Sequence, residues 1–505
     1  MTSVPTDAAG APPPAPTSVD EEYPYVIPSR DDSVVGAAAG LIGGPIGDHA
    51  GWRRRWWTPL RVVLAVVTIA CCLAFVQKAP CRANAFTKDM YPKLCYTDIA
   101  PLYAGRGFDR GATPYVNPVP SERLEYPVLT GLFMQVAAVA DRMIVPGNES
   151  TVAYQRLQRF FDINAFMLAA CAIVGAWFVA ATHRRRPYDA LLIAPGIVLT
   201  AYINWDLLAV ALGAGALWAW SRRSPIAAGA LIGLGTAAKL YPAFLLFPLL
   251  LLCIRARRMR EFGQVLGAGV LTWLAVNLPV MLKAFHGWAY FYTFNAHRPE
   301  SWGSLWLALD DMHRPLPAGT LNAVVALCLV ALFAGIAYVA FSAPRRPRLP
   351  QLAFLTVAAF LLVNKVYSPQ YVLWLVFLFP LARPRWRDFV IWTSLEAAYF
   401  VAIWWHLEGI QRPDLAIPNW PHTLATLLRM GGELWVCALI VRDIYRPECD
   451  PVRLDGSDDP AGGVLDGAPD GGAHALDRPG QEAVDVSSAV RGAASSVTSS
   501  KVVVV

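Results

Sequence analysis

Long apolar segments alternate with short polar connections along most of the chain. They extend from Pro59 to Val441, and many are long enough, or nearly so, to cross a bilayer as helices. Outer-membrane β-barrels instead alternate polar and apolar residues along short strands, and that pattern is missing here. The hydropathy predicts spans at about 59–77, 159–182, 188–203, 206–220, 225–239, 241–254, 262–282, 318–342, 351–363, 371–382, 389–406 and 421–441. We therefore expect an all-α polytopic membrane protein with about twelve transmembrane helices.

Arginine clusters occupy every second connection between these segments. They lie at 53–55, 184–186, 222–223, 255–260, 345–348 and 383–387, and Arg442 follows the last span. Because positive residues accumulate in cytoplasmic connections, these loops and both termini are predicted to be cytoplasmic. The loops at 78–157 and 283–316 are then extracytoplasmic, and the protein is expected to be a multi-pass protein of the plasma membrane.

The two ends of the chain differ from its apolar middle. Residues 1–52 are rich in Pro, Ala, Gly and acidic residues, and residues 446–505 in Gly, Asp, Ser and Ala. Both are predicted to be disordered cytoplasmic tails around one transmembrane domain, residues 53–445. In the large first outer loop, the apolar segment Tyr126–Met143 is expected to lie in the outer leaflet without crossing it.

Composition supports the membrane assignment and excludes other classes. The chain is 55% hydrophobic and 16% charged, whereas soluble domains contain about a quarter charged residues. The net charge of +6 comes from the arginine clusters, which indicates topology and not nucleic-acid binding. The cysteines show no metal-ligand spacing, so neither a metal nor another cofactor is expected. Cys81 and Cys95 both lie in the first outer loop, where a disulfide could form.

Ionisable residues collect at the predicted extracytoplasmic ends of the spans. Charged groups at membrane depth are costly and usually functional. Lys239 and Lys365 end spans on that side, so they either bind an anion, which we favour, or extend to the lipid headgroups. Asp206 could serve a site or complement the N-terminus of its helix. His297 and Arg298 lie in an aromatic loop, where either a functional or a structural role is open.

Two carboxylates of the first outer loop, Asp98 and Asp109, are candidates for a general base. Either could take a proton from an attacking hydroxyl, while basic groups hold a departing phosphate. This combination predicts group transfer from a lipid-linked phosphate donor. Local chemistry alone does not separate the two aspartates.

Five short segments, in this order, resemble glycosyltransferase family 87. They read TDIAPLYAGRGFDRGATPY, LEYPVL, NWDLLAV, GLGTAAKLYP and NKVYSPQYVLWL. The family comprises GT-C-fold enzymes such as actinobacterial polyprenyl-phosphate-mannose-dependent α-1,2-mannosyltransferases. The resemblance covers about residues 59–441 and implies that Asp98 is the catalytic aspartate. It also implies an inverting, metal-independent transfer from a polyprenyl-phospho-sugar, and the first loop has no DxD motif of the kind that binds nucleotide sugars.

The predicted protein is thus a GT-C-type membrane glycosyltransferase. It moves a sugar, mannose by resemblance, from a polyprenyl-phosphate donor to a glycolipid or glycan acceptor on the extracytoplasmic face, surrounded by membrane lipids. Asp98 is the general base, and Lys239, Lys365 and Arg298 bind the donor phosphate. The predicted substrate-binding residues are Asn204, Asp206, Tyr241, His297, Asn364, Gln370, Glu125 and Tyr126. Two other classes fit the same residues: a transporter or flippase of polyprenyl-linked lipids, and a catalytically silent scaffold in envelope assembly.

Overall fold

The computed structural model describes residues 56–116, 119–144, 150–182, 186–313, 318–455 and 458–471, which form helices and loops without any strand. The predicted N-terminal tail, residues 1–52, and the last 34 positions, 472–505, lie outside the described residues. The α-helices in chain order are α1 (Pro59–Arg82), α2 (Ile99–Gly105), α3 (Val128–Ile144), α4 (Ser150–Thr182), α5 (Ile193–Thr200), α6 (Asp206–Ser221), α7 (Pro225–Ala238), α8 (Leu246–Arg255), α9 (Met259–Lys283), α10 (Phe285–His297), α11 (Leu305–Asp311), α12 (Ala318–Ser342), α13 (Leu349–Val363), α14 (Val372–Val376), α15 (Phe379–Ala382), α16 (Trp386–Leu407) and α17 (Asn419–Tyr445).

Every predicted span coincides with one of these helices or with one or two short helices and the 3₁₀ turn that precedes them. In the part of the chain that the structure describes, five helices are long and apolar enough to cross a membrane: α1, α4 from Ala153, α9, α12 from Thr320 and α17. Six further apolar helices contain 10–17 residues. A helix of that length rises at most about 26 Å, short of the roughly 30 Å hydrocarbon core. Membrane embedding is therefore supported, and the number of crossings stays a prediction.

Short helices form the centre of the bundle and long helices form its outside. In α13 every residue except Phe360 is buried, and most of α6 is buried too. The outer helices expose large apolar side chains, including Leu73 on α1, Leu271 on α9 and Leu327 on α12. Because soluble proteins rarely expose extended apolar surfaces, these faces are suited to lipid.

Glycines allow α7 and α9 to pack closely. A Cβ atom at Gly229 would collide with the carbonyl oxygen of Val265, and one at Gly233 with that of Gly269. Small residues at such contacts let two helix backbones approach each other in a membrane. This contact holds the C-terminal end of α7, which precedes Lys239, against the bundle.

The first loop folds back over one end of the bundle. The backbone N–H of Asp98 donates to the carbonyl oxygen of Ile203 at 2.8 Å, and the Thr130 hydroxyl donates to that of Ala238 at 2.7 Å. Cys81 and Cys95, the pair suggested by the sequence, are joined by a disulfide. The apolar segment predicted at Tyr126–Met143 forms α3, which begins at Val128.

The C-terminal tail corrects one expectation. Its described part, to Gly471, is folded against the bundle, although its composition predicted disorder from residue 446. The buried side chains of Arg348 and Asp450 form an ion pair at 2.7 Å, and Arg255 pairs with Asp470 at 2.5 Å. Paired and hydrogen-bonded charges of this kind hold a segment that has few apolar residues of its own.

The two ends of the bundle are chemically different. The helix α6 begins at Asp206 and ends before Arg222, while α13 begins after Arg348 and ends before Asn364. The arginine-rich end carries the folded C-terminal segment, which also accepts hydrogen bonds from Arg346. The residues singled out as functional collect at the opposite end.

Candidate active site

A cavity of about 370 Å³ opens at the end of the bundle that carries Asp206 and Asn364. Segments that are far apart in the chain form its wall: the first loop, the turn before α6, the residue after α7, the connection between α10 and α11, the turn after α13 and the end of α16. The predicted site residues in this wall are Asp98, Glu125, Tyr126, Asn204, Lys239, Arg298 and Gln370. Asp109 is absent from it.

Asp98 stands at the start of α2 with both carboxylate oxygens hydrogen-bonded. Its Oδ1 accepts from the Tyr96 hydroxyl at 2.7 Å, and its Oδ2 accepts from the Asn204 amide at 2.8 Å. Burial raises the pKa of Asp98 above the usual aspartate value, and these two hydrogen bonds and the charge of Lys239 oppose the rise. A carboxylate that is held in place and more basic than usual is suited to accept a proton.

The side chain of Asn204 lies between the Asp98 carboxylate and the Lys239 ammonium group and contacts both. Its amide N–H₂ donates to Asp98 and also to the Tyr126 hydroxyl at 2.6 Å. Its carbonyl oxygen accepts from the Trp205 backbone N–H at 2.6 Å and faces Lys239 Nζ at 3.4 Å. These contacts fix which end of the amide faces Asp98.

Lys239 reaches the cavity from the end of α7, and a buried carboxylate balances its positive charge. Its Nζ donates to Asp206 at 2.6 Å, and the Asp206 side chain is fully buried. The second oxygen of Asp206 accepts from Trp374 Nε1 at 2.7 Å. Lys239 is therefore a paired cation with one side toward the cavity, where its Nζ lies 5.3 Å from the centroid of the Tyr371 ring.

Arg298 lies in the cavity wall, whereas Lys365, which was predicted to bind the donor phosphate, lies behind it. Arg298 lines the cavity, and within the described ranges its guanidinium has no carboxylate partner; it lies 5.8 Å from the centroid of the Phe294 ring. Lys365 Nζ donates to the carbonyl oxygens of Asn295, Ala296 and Arg298 at 3.2, 3.3 and 2.6 Å. Burial and the charge of Arg298 lower the pKa of Lys365. Lys365 thus secures the end of α10 and positions Arg298.

Two further wall residues differ in how well their polar atoms are satisfied. Glu125 accepts two hydrogen bonds from Arg106, each of 2.7 Å, so its charge is fully engaged. Gln370 is 2% exposed, and its Oε1 has no hydrogen-bond partner among the described residues. Because buried polar atoms are nearly always satisfied, the Gln370 oxygen is a candidate contact for a ligand.

The remaining predicted residues lie around the cavity and not in its wall. Asp206 is beneath Lys239, and Tyr241 stacks on Trp374 with ring centroids 4.8 Å apart. His297 is exposed and contacts the Thr293 carbonyl oxygen through Nδ1 at 2.8 Å. Asn364 shapes its own turn, since its amide donates to the carbonyl oxygen of Val366 at 2.9 Å.

Sequence reasoning named Tyr126 and missed the other aromatic residues of the wall, among them Tyr91, Tyr96 and Trp404. It also missed Lys78, which is buried behind them and donates from Nζ to the Tyr96 carbonyl oxygen at 2.7 Å. The position of Tyr96, two residues before Asp98, was a usable signal. Nothing in the sequence distinguishes Trp404 from its neighbour Trp405.

A comparison with known families identifies one matched region, and several of these polar groups lie in it. The sequence profile of glycosyltransferase family 87 matches residues 164–369, which is less than half of the chain. The matched region contains Asn204, Asp206, Lys239, Arg298 and Lys365, whereas Asp98 precedes it. No curated protein matches the chain.

Proposed function

We propose that this protein is a membrane glycosyltransferase in which Asp98 acts as the general base. The sugar, mannose in this proposal, moves with inversion from a polyprenyl-phosphate donor to a glycolipid or glycan acceptor. The family match over residues 164–369 supports glycosyl transfer. The resemblance of the motifs around Asp98, Lys239 and Lys365 supports the lipid-phosphate donor and the choice of sugar.

One observation carries the proposal: a basic carboxylate and two cations face the same cavity. Asp98 and Lys239 are linked through Asn204, and Arg298 lines the same wall. Transfer from a glycosyl phosphate needs a base for the acceptor and positive charge for the departing phosphate. The cavity offers both within one enclosure.

The reaction is a single displacement. The acceptor hydroxyl oxygen attacks the anomeric carbon, the bond from that carbon to the phosphate oxygen breaks, and the hydroxyl proton passes to Asp98. The phosphate keeps the electron pair of the broken bond, and Lys239 and Arg298 stabilise its added charge through charge-assisted hydrogen bonds. Lys365 acts by holding Arg298, and Asn204 by orienting Asp98. Glu125 and Gln370 contact sugar hydroxyls.

An apolar groove near Lys239 is suited to the lipid part of the donor. It has a volume of about 290 Å³ and is lined by α7, α8 and α9 and the turn before α8. Two of its residues, Thr236 and Ala243, flank Lys239 in the chain. A polyprenyl chain in this groove would bring its phosphate to the end of α7, where Lys239 is located.

The placement of the cavity on the extracytoplasmic face follows from the arginine distribution. The arginine-rich loops meet the C-terminal segment at the opposite end of the bundle. Under the positive-inside rule that end is cytoplasmic. The donor is then consumed on the outer leaflet of the plasma membrane.

The test is transfer by the full-length protein in lipid nanodiscs. Radiolabelled polyprenyl-phospho-mannose and a membrane lipid extract are supplied, and labelled product and free polyprenyl phosphate are quantified. Equal amounts of labelled product and free polyprenyl phosphate would support the proposal. Movement of the intact donor between leaflets of proteoliposomes without any release would instead support a flippase. A protein that neither transfers nor moves any polyprenyl-phosphate sugar contradicts the enzyme proposal and favours a scaffold.

A further inference from the structure

The cavity has an aromatic side that the proposed chemistry leaves without a role. Tyr91, Tyr96 and Trp404 all line it. The Tyr91 and Tyr96 rings have centroids 5.4 Å apart and planes inclined by 11°, and Tyr96 and Trp404 have centroids 4.6 Å apart and planes inclined by 29°. The Tyr91 and Trp404 centroids are 6.1 Å apart with planes inclined by 21°, so the three rings form one compact cluster, which we call the aromatic stack.

Trp404 has a polar atom that no neighbour satisfies. The residue is 3% exposed, and its indole Nε1–H has no hydrogen-bond partner among the described residues. Trp374, on α14, shows the usual arrangement, because its Nε1 donates to Asp206. A buried indole N–H normally finds an acceptor. Because Trp404 also lines the cavity, its N–H is a candidate donor to an oxygen atom of a ligand.

The aromatic stack is joined directly to the general base. The Tyr96 hydroxyl donates to Oδ1 of Asp98, whereas Oδ2 is bonded to Asn204, on the side of Lys239. The carboxylate therefore lies between the aromatic stack and the side chain of Asn204, which faces the cation of Lys239. In an inverting displacement the nucleophile and the leaving phosphate lie on opposite sides of the anomeric carbon. If the phosphate lies toward Lys239, the acceptor approaches from the side of Tyr96.

We propose that Trp404, Tyr91 and Tyr96 form the acceptor subsite and that the acceptor group bound there is a pyranoside. This inference rests on the proposed function. The C–H groups on one face of a pyranose ring are apolar and slightly positive, and they pack against the negative face of an aromatic ring. A hydroxyl or ring oxygen of the sugar accepts from Trp404 Nε1, and another hydroxyl donates to Asp98. A lipid or peptide hydroxyl would not need both a flat aromatic surface and a fixed N–H donor.

Direct binding tests the subsite without requiring activity. Methyl α-D-mannopyranoside is added to the full-length protein in nanodiscs, and saturation-transfer difference NMR records which sugar protons contact the protein. The ring protons should show a signal, and Trp404→Leu should reduce it by about tenfold. Trp405→Leu is the matched control, since Trp405 is the next residue of α16 and is 44% exposed; it should keep the wild-type signal. A wild-type protein without signal, or an undiminished signal in Trp404→Leu, would overturn the inference.

Trp404→Phe covers the case in which Trp404→Leu fails to fold. It keeps a ring and removes the N–H, so the acceptor KM in the transfer assay should rise severalfold while the donor KM changes little. A rise in the donor KM alone would show that the stack binds the donor sugar and would overturn the acceptor assignment. Normal sugar binding together with no transfer from any donor would leave the subsite standing and contradict the proposed glycosyl transfer. Unchanged kinetics in both Trp404→Phe and Tyr91→Leu would contradict the subsite and leave the enzyme standing.

Discussion

Asn204 donates a hydrogen bond of 2.8 Å to Asp98, a residue 106 positions earlier in the chain. The contact unites the first loop with the turn before α6, and it sets the carboxylate at a defined distance from the cation of Lys239. It also gives each oxygen of Asp98 a different neighbour.

Replacing the base should abolish transfer and preserve donor binding. Asp98→Asn should lower the transfer rate by about a hundredfold to ten-thousandfold. Burial raises the pKa of Asp98, so the folded protein holds this proton more tightly than the unfolded chain does. The stabilisation that results is present at low pH and is lost as the pH rises through the folded-state pKa. The neutral amide should therefore unfold at no lower temperature than wild type near neutral pH. Asp109→Asn, in the same loop but outside the cavity wall, is the matched control; if it is inactive while Asp98→Asn is active, the base assignment is wrong.

The pH profile should report the environment of Asp98. A general base must be deprotonated, and burial raises the pKa of Asp98. The transfer rate should therefore fall on acidification at a pH above the ordinary aspartate pKa of about 3.9. Tyr96→Phe removes a hydrogen bond that lowers the pKa of Asp98, so the acid limb should move to higher pH. Tyr103→Phe is the control, because its hydroxyl donates to Asp141 instead. Coincident acid limbs for Tyr96→Phe and wild type would show that another group controls the profile.

The two cations of the cavity should behave differently on removal. Arg298→Gln should weaken donor binding by about tenfold with little effect on stability, since no described carboxylate depends on this arginine. Lys239→Met should weaken binding and also destabilise the fold by about 3 kcal/mol, because it leaves the buried Asp206 carboxylate unpaired.

The double variant Lys239→Met with Asp206→Asn separates these two effects. Its unfolding temperature should return toward the wild-type value, whereas its affinity for the donor should stay as low as that of Lys239→Met. Recovery of both would mean that Lys239 serves the fold alone and does not contact the phosphate.

The disulfide should stabilise the loop that presents Asp98. Cys81 and Cys95 are 14 positions apart, and closing a loop of this size contributes about 3 kcal/mol in the chain-entropy model. Cys81→Ser with Cys95→Ser should lower the unfolding temperature, and reductant should then have no further effect. Cys72→Ser, at an exposed free thiol, should unfold as wild type does. Free thiols at both loop positions in protein purified without reductant would contradict the bond.

The orientation in the membrane can be read from cysteine labelling. Single cysteines at Lys283 and Gln411, at the end of the bundle with the cavity, should react with an impermeant reagent in intact cells. Cysteines at Arg260 and Arg387, on exposed positions of the arginine-rich end, should react only after lysis. The reverse pattern would place the cavity in the cytoplasm and exclude an extracytoplasmic reaction.

Much of the helical architecture was accessible from the sequence, because hydrophobic periodicity and length are local properties. The helices α6, α7 and α9 lie where hydropathy predicted spans. The polar residues in the connections between apolar segments also identified most of the charged and amide side chains of the cavity wall, since burying such groups without a partner is costly. Asp98, Asn204, Lys239 and Gln370 were all selected on that basis.

Tertiary structure alone decided which of these groups meet and what surrounds them. The separation of Asp98 from Asp109, the bonding of Lys239 to Asp206 and the inclusion of Trp404 in the wall depend on contacts between residues distant in the chain. The acidic C-terminal segment is a further case, because its composition predicts disorder until the fold presents Arg348 to Asp450 and Arg255 to Asp470. Composition and periodicity describe each segment's own preference, whereas the partner that satisfies a buried charge becomes available only when other helices bring it there.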